Sequence, residues 1–107
     1  MINASFLNED SLIVGFKVTG HANFDDFGLD IVCASVSSCA IMAANTITEI
    51  IKADAGVKTS DGMITLKISN GAELCQPILK GLLLHLTEIA KEYPDNLTIY
   101  NERNEHS

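Results

Sequence analysis

The residues best suited to chemistry lie in one short run, Gly20-His21-Ala22-Asn23-Phe24-Asp25-Asp26-Phe27-Gly28-Leu29-Asp30-Ile31-Val32-Cys33. An imidazole and a thiol separated by a short segment are the parts of a nucleophile-and-base pair. The thiolate attacks an acyl carbon, and the imidazole carries the proton. A free thiol is only a few per cent ionised at neutral pH, so it needs help. With Asp30 as the N-cap of a helix, Cys33 falls at the third helical position, at the positive end of the helix dipole. That field supplies about 0.3–1 kcal/mol, against about 1.4 kcal/mol for one pKa unit. A second group must do the rest, and His21 is the only histidine that the local chain brings near. The unpaired N–H groups of the helix start would hold an oxyanion.

Each of these residues also has a plain structural reading. Cys33 alone is a small apolar residue of the kind found in cores, and His21 a polar residue at a strand end. Asp30 is either a helix cap or a third member that orients His21. Ser37, one helical turn beyond Cys33, either touches the site or bonds back to the preceding turn. Phe24 and Phe27 are either core anchors or an apolar lid over a substrate. Cys39 and Cys75 read as core filler, His85 as helix surface or a satisfied polar group, and His106 as part of a loose tail.

The elements around this run follow from periodicity. Ile2–Asn8 and Ser11–Thr19 read as two strands about a Glu9-Asp10 turn, with Leu12, Val14, Phe16 and Val18 on one face. Ala22–Leu29 reads as a loop. From Ile31 to about Ala53, Val36, Ala40, Ala43, Ile47 and Ile50 make one face of a helix. Val57–Thr59 and Met63–Ser69 form a hairpin turned at Asp61-Gly62. A second helix covers Glu73–Tyr93, with Leu74, Ile78, Leu82, Leu86 and Ile89 on one face; Pro77 places its regular part later, and Pro94 ends it. Leu97–Tyr100 is a last strand. The order β-β-α-β-β-α-β predicts an α+β fold, a single layer of mostly antiparallel sheet covered by two helices.

Composition bounds the function. The chain has 107 residues, 47% of them hydrophobic, which suits one folded domain over residues 1–107 rather than a disordered segment. Fourteen acidic residues against seven basic ones give a net charge of −7. That argues against a nucleic-acid binder and suits a basic partner. The N-terminal residues have no basic region followed by an apolar stretch, so no secretory signal is expected. No segment reads as a run of about 20 apolar residues, so no membrane span is expected either. Three cysteines without paired spacing fit neither a disulfide scaffold nor a structural zinc site, and a reducing, cytoplasmic setting is the simplest expectation.

Gly20-His21-Ala22, a short loop, and then Gly28-x-Asp30-Ile31-Val32-Cys33-Ala34-x-Val36-Ser37 closely resemble the signature of the Prp family of bacterial ribosomal-processing cysteine proteases. The resemblance covers residues 20–37; elsewhere it is one of length and element order. It implies a homodimeric cysteine endopeptidase that removes the short N-terminal extension of large-subunit ribosomal protein bL27. It implies a dyad whose members match His21 and Cys33, with Gly20, Asp30 and Ser37 at motif positions near them. The family's extension ends in aromatic residues followed by small ones, and Phe24, Phe27 and Gly28 would help form a pocket for it. Ser35, where alanine is common, and the additional Cys39 are departures that touch substrate preference rather than mechanism.

The expectation is therefore a protease in which Cys33 attacks and His21 protonates the leaving amine, with no metal or organic cofactor and no direct contact with nucleic acid or membrane. The alternatives are a noncatalytic ribosome-assembly module whose acidic surface grips a basic ribosomal protein, and a thiol hydrolase acting on some other acyl substrate.

Overall fold

The computed structural model describes residues 1–20 and 27–103. Strand β1 (Ile2–Glu9) turns into β2 (Leu12–Thr19), and helix α1 (Phe27–Asn45) continues through a π-helical stretch over Thr46–Ile51. The β3–β4 hairpin (Asp54–Ser60 and Met63–Asn70) leads through a 3₁₀ turn at Ala72–Cys75 into α2 (Gln76–Glu92), and β5 (Leu97–Arg103) follows. The sheet order is β3-β4-β2-β1-β5. Every pairing is antiparallel except β1 with β5, which is parallel. The α+β architecture read from the sequence is the one observed.

One hydrophobic cluster joins the sheet to both helices. Ile2, Ala4, Phe6, Phe16, Val18, Leu66, Ile68 and Leu97 of the strands meet Val32, Val36, Ala40 and Ala43 of α1 and Leu79, Leu82 and Leu86 of α2. Phe6 and Phe16 are cross-strand partners with ring centroids 6.3 Å apart. The small residues of α1 let it lie close against this layer.

Several local expectations are corrected. The first hairpin turns at Asp10-Ser11, both with positive φ, rather than at Glu9-Asp10. Leu7 pairs with Gly15 but Asn8 with Ile13, so Val14 is the extra residue of a β-bulge. The bulge swaps the faces, and Ile13 rather than Val14 joins the core cluster. Gln76, at the start of α2, stabilises this spot: its amide nitrogen donates to the Ile13 carbonyl and its carbonyl oxygen accepts from the Ile13 N–H, both at 2.9 Å.

Helix α1 begins at Phe27, inside the segment expected to be loop, because Phe27-Gly28-Leu29 contains no proline and one glycine costs a helix only about 1 kcal/mol. At the other end, the π-helical stretch adds residues to its turns and shifts the phase, so Ile50 is 75% exposed and Ile51 packs against the core. In α2, Leu74 lies in the 3₁₀ turn ahead of the α-helix and is exposed, while Leu79 is fully buried. Pro77 sits in the first turn, where its missing N–H has no helical partner to lose.

Ile31–Ile51, 21 residues with a mean hydropathy of 1.6, is long and apolar enough to cross a membrane, contrary to the sequence expectation. That expectation counted consecutive apolar residues, whereas here serines and threonines are spread among isoleucine, valine and alanine. The inner face of this helix packs on the sheet, and core helices apolar on every side meet the same criterion.

Candidate active site

The site begins with the phase of α1. Cys33, Ser37 and Ile41 are spaced i, i+4, i+8 along the helix, and this spacing stacks them on one face. All three line a cavity of about 370 Å³. Val18 and Gly20 from the end of β2 line it too, and the remaining wall is Thr59–Ile64, the turn of the β3–β4 hairpin with the residues that flank it. Cys33 is partly buried, packed against the core yet lining this opening.

The backbone at Gly20 is held from two directions. Its N–H donates to the Gly62 carbonyl oxygen at 3.0 Å. Its φ is +83°, and a Cβ there would run into the Met1 carbonyl oxygen. Gly62 also has a positive φ, 71°, which lets two residues, Asp61 and Gly62, join the paired Ser60 and Met63. The end of β2, the hairpin turn and the N-terminal strand thus form one rigid corner beside Cys33.

The three thiols differ in surroundings. Burial pushes the Cys39 and Cys75 thiols above their ordinary value, since removal from water disfavours the thiolate. Cys75 is fully enclosed in the core, as expected of a filler residue, and Cys39 packs against the core cluster. Neither lines the cavity. The Ser37 hydroxyl makes no hydrogen bond among the described residues, whereas Thr46, Thr48 and Thr87 each bond back one helical turn. Ser37 is exposed on the cavity side of α1.

His21 and Phe24 lie outside the described residues, as does His106; His85 is exposed on α2. Phe27, Gly28 and Asp30 are the first, second and fourth residues of α1. The structure corrects the expectation that Asp30 caps the helix, and with it the position of Cys33, which is the seventh helical residue. The first turn of α1 is Phe27–Asp30, and Cys33 lies beyond it. The hairpin wall was absent from the sequence reading. Its Asp61-Gly62 turn was legible, but nothing local says that a turn nearly thirty residues downstream faces Cys33.

Comparison with known proteins points the same way as the cavity. A family model described as cysteine protease Prp matches residues 1–98. The ribosomal processing cysteine protease Prp of Bacillus subtilis (strain 168) is 29% identical over 100 residues, covering 86% of this chain and 88% of that protein. The crystal structure of SMU.848 from Streptococcus mutans superposes with a TM-score of 0.87 at 24% identity, covering 97% of this chain and 96% of that one. The ribosomal processing protease Prp from S. aureus, solved with a substrate peptide, superposes with a TM-score of 0.86 at 24% identity, covering 95% and 100%. At those identities the superpositions speak for the fold, and the family match carries the chemistry.

Proposed function

The chain belongs to the Prp cysteine protease family, and from that premise we propose that it removes the N-terminal extension of ribosomal protein bL27 with a dyad of Cys33 and His21. The observation that carries this is Cys33 itself, the thiol that lines an open cavity while the other two lie outside it. In the proposed reaction the Cys33 thiolate adds to the scissile carbonyl, forming a carbon–sulfur bond. The tetrahedral intermediate collapses, the carbon–nitrogen bond breaks, and the His21 imidazolium gives its proton to the departing amine. Water then hydrolyses the thioester, releasing the carboxylate and restoring the thiol. The Ser37 hydroxyl, one turn along the same face, is a donor available to the oxyanion.

The substrate assignment is supported by the relatives, which are named for ribosomal processing, and by the S. aureus protease solved with a substrate peptide and with a covalently linked product peptide. The charge of −7 suits a basic ribosomal protein as partner. A homodimer is part of the same reading. Ile41 and Met42 of α1 and Leu84 of α2 are all more than half exposed, which gives a second copy apolar surface to cover. A cytoplasmic setting completes it, where reduced thiols persist.

The test is to mix the protein, and a Cys33→Ala variant, with bL27 bearing its extension and to follow the mass of the product. The intact protein should shorten bL27 and the variant should not. A variant that cuts would overturn the mechanism, and an intact protein that leaves bL27 uncut would overturn the substrate.

A further inference from the structure

We propose that Asp61 is a specificity-determining residue that reads a cationic side chain, lysine or arginine, of the peptide held at Cys33; this rests on the protease reading above. Asp61 is the one charged residue among those lining the cavity within the described residues. The α1 residues that line the same cavity, Cys33, Ser37 and Ile41, carry no charge, and Val18, Met63 and Ile64 make much of the rest apolar. Among the described residues the Asp61 side chain has neither a hydrogen bond nor an ion pair, so its carboxylate is not already committed to a lysine or arginine of this chain.

The backbone that carries Asp61 is also held in place. Asp61 sits in a two-residue turn whose flanking pair is Ser60 with Met63, and the next residue's carbonyl is tied to Gly20 by a 3.0 Å hydrogen bond. An exposed anion on the wall of a mostly apolar cavity favours a substrate that pairs an apolar side chain with a positive one. Because Asp61 is exposed, water and salt weaken its field, so the preference is modest and sensitive to ionic strength.

Two measurements on the full chain decide this. The first needs no substrate. Cys33 is modified with a trimethylammonium-bearing or a sulfonate-bearing methanethiosulfonate of similar size, and the modified peptide is identified by mass. Relative to their rates with free cysteine, the cationic reagent should react faster. Asp61→Asn should lower the cation-to-anion ratio by about two- to fivefold, the range for exposed pairs. Asp95→Asn, an equal loss of charge outside the cavity, should leave the ratio unchanged, and about 1 M salt should remove the wild-type preference. A ratio that does not move in Asp61→Asn overturns the proposal.

The second measurement compares cleavage of two peptides that differ by lysine against norleucine near the scissile bond. The wild type should prefer the lysine peptide, mainly through KM, and Asp61→Asn should lose that preference while still cutting both. Equal cleavage of the two by the wild type overturns the Asp61 assignment and leaves the protease reading standing. Cleavage of neither removes the protease reading, and with it the substrate role given to Asp61.

Discussion

The backbone N–H of Gly20 donates to the carbonyl oxygen of Gly62 at 3.0 Å, so the residue immediately before His21 is tied to the hairpin turn that lines the cavity with Cys33. Two segments far apart in the chain are thereby fixed to each other at the place where β2 leaves the sheet.

Gly20→Ala should be costly for that reason. A φ of +83° disfavours any side chain, and a methyl group there meets the Met1 carbonyl oxygen. Left-handed backbone alone costs about 1–2 kcal/mol for an alanine, and relief of the contact requires the end of β2 to move. The urea midpoint should fall, and peptide cleavage should drop by more than the unfolded fraction accounts for.

Gln76 offers a contrasting case, stability without chemistry. It is 8% exposed, serves both backbone groups of Ile13 at the bulge, and donates to the Ala72 carbonyl at 2.8 Å. Gln76→Leu leaves buried polar groups without partners, at about 1–3 kcal/mol each. Urea unfolding should show a loss of about 2–4 kcal/mol, while the protein that remains folded keeps its rate of Cys33 modification.

The thiols should separate by reactivity and by pH. At neutral pH, iodoacetamide should label Cys33 well before Cys39 or Cys75, because burial holds those two above the ordinary 9.0. The sign of the linked stability follows. A raised folded-state value favours the protonated thiol, so this contribution is fully present below 9.0 and is lost as pH rises beyond it, where the unfolded chain ionises first. Urea midpoints measured across that alkaline range should fall, and labelling of Cys39 and Cys75 should rise in parallel.

Ser37→Ala should lower kcat/KM by about ten- to a hundredfold, the worth of one hydrogen bond to a developing charge, with no change in the urea midpoint. Ser37→Val, which adds bulk on the cavity wall, should raise KM further. Equal loss of activity in Ser37→Ala and Cys33→Ala would place Ser37 at the centre of the chemistry instead.

The sequence by itself determined the element order, the hairpin at Asp61-Gly62, the buried role of Cys75, and the shared helical face of Cys33 and Ser37. These follow from periodicity, turn chemistry and the 3.6-residue repeat, which act over a few residues at a time. Only the tertiary structure decided the rest. The bulge at Val14 depends on Gln76 arriving from α2 to serve Ile13. The parallel pairing of β5 with β1 depends on where α2 delivers the chain. The packing of Ile51 rather than Ile50 against the core depends on how α1 ends against the sheet. Above all, Asp61 and Gly62 line one cavity with Cys33 because β4 pairs with β2 and carries the hairpin turn back to the strand end that precedes His21. Pairing between distant strands is selected by the packing of the whole layer, and no local pattern around Cys33 encodes it.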